Sequence, residues 1–142
     1  MFRKKRPPND GAYFENMCRV IFQAGLNWNI VENKWPNFKK AFDNFSIDNV
    51  ARFKNTDIER LMTNESIVRN RAKIEAVVQN AARMKDIKKR FGSFQSYLDG
   101  LDKSSNYALV IEELGKQFKR LSPSSAGLFL YTVGENVKHS EM

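Results

Sequence analysis

A long helical pattern at residues 67–90 constrains the fold of this chain more than any other feature. Its apolar side chains recur at three-, four- and seven-residue steps, which places them along one face of an α-helix: Ile67, Ile74, Val77, Val78, Ala81, Met84 and Ile87. Similar patterns occupy residues 12–24, 36–44, 58–62, 94–101, 107–118 and 124–134, and strand-like alternation occurs nowhere. The sequence therefore predicts an all-α fold.

One domain with a short basic lead accounts for the length. The 142 residues suffice to bury a core, and 42% of them are hydrophobic, which excludes wholesale disorder. We expect residues 1–11 to form a basic, poorly ordered lead and residues 12–142 a single, monomeric helical domain. No apolar run is long enough to span a bilayer, and Pro7 and Pro8 follow the basic N-terminus instead of an apolar signal segment. We expect a cytoplasmic protein with no membrane partner.

The charge of the chain favours a polyanionic partner. The net charge is +8 and the pI is about 9.7, so a nucleic acid could be bound through release of its counterions. A negatively charged membrane surface would also attract this chain, and many small basic proteins bind no nucleic acid. Charge alone therefore leaves the partner open.

Few residues offer metal binding or known catalytic motifs. Cys18 is the only cysteine and His139 the only histidine, whereas a structural zinc needs four ligands. Gly-rich phosphate loops and nucleophile elbows are absent. We expect no metal and no cofactor. Cys18 lies on the apolar face of the first helix and is predicted to be a core thiol.

An aromatic and polar stretch at residues 21–36 predicts a ligand pocket. Gly25 supplies the left-handed residue that ends one helix, Trp28 begins the next turn, and Pro36 suits the first turn of a further helix. A tryptophan between two short helical pieces could face a flat, polar, aromatic ligand. The alternative is a Trp28 that only fills the core. The polar side chains nearest the ring in sequence are Gln23 and Asn27.

A second motif at residues 118–134 predicts a phosphate site. The order is helix, tight turn and helix, with Ser122 as N-cap and Pro123 at the first helical position. Free backbone amides at such a helix end bind phosphate readily, and Lys119 and Arg120 precede them. An ordinary helix–turn–helix packing unit would show the same residues.

Several short segments keep a combined pattern of residues and spacing: AGLNW at 24–28 with Phe14-Glu15 before it and Phe38, Ala41-Phe42 and Val50-Ala51 after it, then IVRNRAKI at 67–74 and QNA at 79–81. This pattern resembles the bacterial 3-methyladenine DNA glycosylase I family, well over residues 13–83 and loosely over residues 118–134. The resemblance implies a single helical domain of the helix-hairpin-helix DNA glycosylase type. It also implies a base-excision repair enzyme that flips a damaged base out of double-stranded DNA and hydrolyses the N-glycosidic bond of an alkylated purine such as 3-methyladenine.

The resemblance assigns roles to residues in both motifs. Trp28 matches the family's pocket tryptophan, whose ring would stack on the flipped base, with Gln23 and Asn27 in the same base pocket. The family's pocket glutamate, eight residues before the tryptophan, is Val20 here, and the catalytic residue stays unassigned. Ser122 replaces the hairpin glycine that the family usually has. The residues expected to contact DNA are Lys119, Arg120, Ser122, Ser124, Arg69, Arg71 and Lys73.

Other departures from the family concern acids and zinc. Glu15 and Glu32 are the acids nearest the pocket in sequence, and we expect both to be solvated helix residues. The family's zinc clip of two cysteines and two histidines is missing, although His139 falls near one of its histidines. Near Gly134, where related glycosylases carry a catalytic aspartate, no aspartate follows.

Three hypotheses follow. The first is a monofunctional DNA glycosylase acting on an alkylated purine. The second is a catalytically inactive DNA-binding protein of the same fold, which Val20 favours. The third is a purely structural helical domain with a basic surface. The retained Trp28 favours the enzyme, whereas Trp35 is expected to lie against the core.

Overall fold

The computed structural model of the chain describes residues 5–138. This part contains eight α-helices, and the turn between α2 and α3 includes a short 3₁₀ segment at Asp43–Phe45. Because residues 5–138 contain no strand, the predicted all-α class is confirmed. Within this part, no helix is both long and apolar enough to cross a membrane. The helices are α1 (Asp10–Gln23), α2 (Trp28–Ala41), α3 (Ile47–Ala51), α4 (Asn55–Met62), α5 (Arg71–Phe91), α6 (Phe94–Asp99), α7 (Ser104–Gln117) and α8 (Pro123–Thr132).

The core is built around α1, which packs against α2, α5, α6 and α8. Aromatic rings fill the space between α1 and α2. The Trp35 ring lies 5.0 Å from the Phe45 ring and 5.1 Å from the Phe38 ring, and Phe22 of α1 lies 4.6 Å from Phe38. Burial of such large rings supplies much of the stabilisation in a small domain. Trp35 is buried, as predicted.

The α2 helix differs from the prediction at Pro36. We expected Pro36 to begin a separate helix, but α2 runs without interruption from Trp28 to Ala41 with Pro36 inside it. An internal proline costs about 3 kcal/mol because it removes a hydrogen bond and crowds the preceding turn. The face of α2 that carries Val31, Trp35 and Phe38 is buried, and this burial offsets the cost.

The α5 helix begins four residues later than its apolar pattern suggests. The side chain of Asn70 accepts a hydrogen bond from the backbone N–H of Lys73 at 3.1 Å and caps the helix, which starts at Arg71. Gly92, with φ of +89°, ends it. The predicted stripe is buried at Ile74, Val77, Ala81, Met84 and Ile87. Val78 is half-buried, and Ile67 is buried but precedes the helix.

The described part of the N-terminal lead contacts the helical body. The Lys5 backbone N–H donates to the Thr132 carbonyl at 3.4 Å, Arg6 pairs with Asp99 at 3.2 Å, and Pro7 is buried. A Cβ added to Gly134 would lie 2.8 Å from the Arg6 nitrogen. Residues 5–9 therefore differ from the poorly ordered lead that the sequence suggested, and residues 1–4 lie outside the described part.

Candidate base pocket and nucleic-acid interface

The junction of α1 and α2 places Trp28 at the start of a helix. Gly25, with φ of +75°, follows the last turn of α1 and reverses the chain, as predicted. Trp28 is the first residue of α2 and is half-buried, with part of its ring against the core. One side of this side chain is therefore supported by the fold while the rest is accessible.

Asn27 has a structural role at this junction. It is exposed, and its side-chain oxygen accepts a hydrogen bond from the backbone N–H of Asn29 at 2.8 Å, which caps α2. Capping explains the presence of this amide without a ligand, and its place in the base pocket stays a prediction.

No capping role of this kind explains the buried amide of Gln23. Its side chain is 1% exposed, and among residues 5–138 neither its amide nitrogen nor its amide oxygen has a hydrogen-bond partner. Buried polar atoms are almost always paired, so this amide marks a place where a polar group from outside the chain is expected. Val20, one helical turn earlier, is buried in the apolar core and offers no polar group.

The two nearest acids are not the solvated residues that we predicted. Glu15 is half-buried and accepts a hydrogen bond from the Trp35 ring nitrogen at 2.9 Å, and it pairs with Arg19 and Lys39. It supports the core. Glu32 is half-buried on α2, with one carboxylate oxygen inaccessible to solvent.

The position of Glu32 brings a carboxylate to the Trp28 side of α2. Residues four apart share a helix face, so Glu32 lies one turn along the same face as Trp28. We expected Glu32 to be a solvated residue and did not place it among the candidates for the site. The four-residue spacing from the tryptophan was the signal that could have identified it.

The turn between α7 and α8 carries the cap and the proline that the sequence suggested. The Ser122 side chain accepts a hydrogen bond from the Ser125 backbone N–H at 3.3 Å, and Pro123 is the first residue of α8. The turn is tight, since Arg120 has a φ of +57°. The start of α8 is therefore an exposed, positively polarised helix end, although the N–H groups of Ser125 and Ala126 are bonded to Ser122.

The cations expected to contact DNA fall into two groups. Lys119 and Arg120 are exposed in the hairpin, with Ser122 and Ser124 exposed beside them. Arg69 and Arg71 are exposed at the start of α5. Arg71 is partly neutralised, since it pairs with Glu59 at 2.5 Å and with Glu75 at 3.9 Å.

Lys73 was predicted to contact DNA together with these cations, but the structure places it inside the molecule. It is only 4% exposed, and its ammonium group donates to the backbone carbonyls of Phe22 at 3.2 Å and Ala24 at 2.6 Å. These carbonyls lie at the C-terminal end of α1, where a positive charge is favourable. Lys73 therefore caps α1 from inside the molecule, and its ammonium group is already engaged with backbone carbonyls.

A cavity of about 450 Å³ separates the end of α1 from the hairpin. Ile21, Ala24 and Lys73 form one side, and the other side includes Arg120 and Ser122. Burial, and after it the charge of Arg120, lower the pKa of Lys73. The two cations are therefore close enough to repel each other, which gives this side of the molecule a concentrated positive potential.

The described residues contain no metal-binding cluster. Between residues 5 and 138, no three histidine, cysteine, aspartate or glutamate side chains lie together in a way that could hold a metal ion. Cys18 is fully buried, and this burial raises the pKa of its thiol well above the ordinary value. It is an unreactive core residue, as predicted. His139 lies outside the described residues.

The helical fold, the tryptophan junction and the basic hairpin define an all-α domain of the DNA glycosylase type. A sequence model of the methyladenine glycosylase family matches residues 5–126, and the chain belongs to this family. The resemblance seen in the sequence is thereby confirmed.

Relatives and solved structures agree with this assignment. Over 68 residues the chain is 40% identical to DNA-3-methyladenine glycosylase of Haemophilus influenzae and to DNA-3-methyladenine glycosylase 1 of Escherichia coli, covering 48% of this chain. That alignment spans 37% and 36% of those proteins, about a third of their length.

The structural similarity extends further. The 3-methyladenine DNA glycosylase I of Staphylococcus aureus has a TM-score of 0.82 at 28% identity, with 94% of this chain and 80% of that chain covered. A variant of 3-methyladenine DNA glycosylase I in complex with 3-methyladenine also gives 0.82 at 27% identity, with 99% and 86% covered.

Proposed function

We propose that this protein is a DNA glycosylase that removes an alkylated purine such as 3-methyladenine from double-stranded DNA. The observation that carries the proposal is the buried, unpartnered amide of Gln23 at the junction that presents Trp28. A flipped purine would supply hydrogen-bond partners for the Gln23 amide and a flat face on which the Trp28 ring can stack. The family membership and the similarity to a structure in complex with 3-methyladenine support the same conclusion.

Trp28 and Gln23 would divide the recognition of the base. The ring of Trp28 stacks on the purine, and its negative face attracts the positive charge of an N3-alkylated adenine. The amide of Gln23 offers one donor and one acceptor, the pair that glutamine uses to recognise adenine edges. Asn27 and Val20 would then shape the junction, because Asn27 caps α2 and Val20 packs in the core.

The chemistry demands little of the protein. An N3-alkylated adenine is already cationic and is a good leaving group, so no proton needs to be delivered to it. Cleavage passes through a sugar with oxocarbenium character, which a nearby carboxylate would stabilise. With Val20 in the usual glutamate position, Glu32 is the acid we propose for this role, because it lies on the same face of α2 as Trp28.

Two exposed apolar side chains flank the proposed pocket. Leu26 is 39% exposed after the Gly25 reversal, and Ile30 is 47% exposed in the first turn of α2. Extruding a base leaves a gap in the duplex, and proteins that distort DNA often insert apolar side chains between base steps. We propose that Leu26 fills this gap while Trp28 holds the base.

The DNA backbone would lie along the basic hairpin. Lys119 and Arg120 provide phosphate contacts at the start of α8, where the helix dipole favours an anion, with Ser122 and Ser124 next to them. Arg69 and Arg71 would extend this surface at the start of α5. We propose a monomer that acts in the cytoplasm without cofactor or metal, and a monofunctional enzyme, since the one buried lysine at the cavity is occupied with α1.

A release assay tests the proposal. Duplex DNA treated with a methylating agent is incubated with the protein, and freed bases are identified by chromatography. We expect free 3-methyladenine in amounts that rise with time and disappear with Trp28→Ala. If the protein binds methylated duplex but frees no base, the alternative of a catalytically inactive DNA-binding protein of the same fold replaces the enzyme.

A further inference from the structure

The α5 helix contacts both halves of the proposed interface through two buried side chains. Lys73 bonds the end of α1 next to Gln23. Asn80 bonds the hairpin: its side-chain oxygen accepts from the Lys119 backbone N–H at 2.7 Å, and its nitrogen donates to the Lys119 carbonyl at 3.1 Å. Both contacts are made with backbone groups, so they fix the path of the chain itself.

These contacts are geometrically strict. Asn80 is 1% exposed, and both of its polar atoms are paired with a single residue 39 positions away. Such a two-point contact determines both the position and the orientation of the backbone at Lys119. Lys119 directly precedes Arg120, whose positive φ turns the chain toward Ser122. An error in the Lys119 peptide would therefore displace the whole turn.

The spacing of Lys73 and Asn80 along α5 sets the distance between the end of α1 and the hairpin. Lys73 and Asn80 are seven residues apart, which is two turns on one helix face and about 10.5 Å along the axis. A helix resists compression, so the end of α1 and the hairpin are held apart by a fixed length. The cavity lined by Ala24, Lys73 and Arg120 occupies the space between them.

The geometry points to α5 as the element that sets the distance between the base pocket and the phosphate-binding hairpin, with Asn80 and Lys73 as positioning residues. This inference rests on the proposed function. A flipped base stays covalently joined to the phosphates that the hairpin holds, so both must be engaged at a fixed separation. A preorganised separation avoids an ordering cost when DNA binds.

The first test measures duplex binding of the full chain at several salt concentrations. Replacing Asn80 with leucine removes both contacts to Lys119 in a side chain of similar size. We expect weaker binding to undamaged duplex and a salt slope reduced by about 0.9 for each lost phosphate contact. The control is Tyr97→Phe, which removes a buried hydroxyl that donates to Glu113 at 2.9 Å and should leave the slope unchanged.

A double-mutant cycle separates positioning from general damage. If Asn80 acts through the hairpin, Asn80→Leu should cost much less affinity once Lys119 and Arg120 are both alanine, because the two main cations that it positions are then gone. An equal loss of affinity in both backgrounds would show that Asn80 acts elsewhere and would overturn the inference. Where Asn80→Leu does not fold, Asn80→Asp keeps the acceptor for the Lys119 N–H and removes only the donor. It should give a smaller loss that is again reduced in the alanine background.

Lys73→Met tests the other anchor. Because Lys73 contacts carbonyls of α1, its removal should lower the preference for duplexes with an abasic site over undamaged ones, with the salt slope unchanged. A flattened slope would mean that Lys73 contacts phosphates directly and is not an anchor.

Hydrogen exchange without DNA keeps the inference separate from the proposed function. Asn80→Leu should speed exchange of the Lys119 amide about fivefold, the value of one hydrogen bond, while Phe129 in α8 stays protected. Unchanged exchange at Lys119 would refute the positioning role. If the wild-type protein shows no salt-dependent DNA binding, the proposed function fails, whereas the exchange result still decides whether Asn80 holds the hairpin.

Discussion

Replacing Gln23 with methionine should make the free protein more stable. Both polar atoms of Gln23 are buried and have no partner within the described part of the chain, and each unsatisfied group costs about 1–3 kcal/mol. Methionine has similar length and needs no hydrogen bond, so the substitution removes that cost without leaving a cavity. We expect the free energy of unfolding, measured by urea denaturation, to rise by about 1–3 kcal/mol.

The same substitution should reduce release of 3-methyladenine from methylated duplex. The amide's donor and acceptor would then be missing from the pocket, while phosphate contacts at the hairpin are untouched. Binding to undamaged duplex should therefore stay at the wild-type level. A gain in stability together with a loss of function would identify Gln23 as a residue kept for its ligand.

Asn80 is the matched control. It is also a buried amide with 1% exposure, but both of its polar atoms are paired. Asn80→Leu should therefore lower the free energy of unfolding, by about 1–3 kcal/mol. If Gln23→Met is destabilising to the same degree, a bound water must satisfy Gln23 in the free protein, and the reasoning from an unpaired amide is refuted.

Three further predictions concern the ring, the hairpin and the buried lysine. Trp28→Phe should fold nearly normally and weaken only lesion binding, by about 1–3 kcal/mol, whereas Trp35→Phe should lower the melting temperature and leave lesion preference unchanged; the reverse pattern would place Trp28 in the core. Alanine at both Lys119 and Arg120 should flatten the salt dependence of duplex binding, and an unchanged slope would remove the hairpin from the interface. Burial, and after it the charge of Arg120, lower the pKa of Lys73, so Arg120→Ala should raise that pKa part of the way toward its ordinary value in an NMR titration. A lysine whose pKa is lowered in the folded state reduces stability at every pH below that folded-state pKa, so this variant should be slightly more stable at neutral pH. An unchanged pKa would show that the charge of Arg120 does not act on Lys73.

Local sequence determined much of the architecture. Helix ends depend on interactions within a few residues, so Gly25, Gly92 and Ser122 are identifiable as helix ends or caps from the amino-acid sequence alone. The apolar stripe of α5 and the burial of Trp35 follow from periodicity in the same way. The family is also identifiable, because its motif around Trp28 keeps residue types and spacing together.

The burial and the hydrogen-bond partners of individual polar side chains were decided only by the tertiary structure. Lys73 belongs to a visibly basic helix, yet it meets carbonyls 49 and 51 positions away. Asn80 meets a peptide 39 positions away, and Glu15 meets a ring 20 positions away. None of these partners is encoded within a helical turn of the residue itself. A helical sequence specifies which face is apolar, whereas the packing of helices decides which polar groups on its margins are paired, buried or left for a ligand.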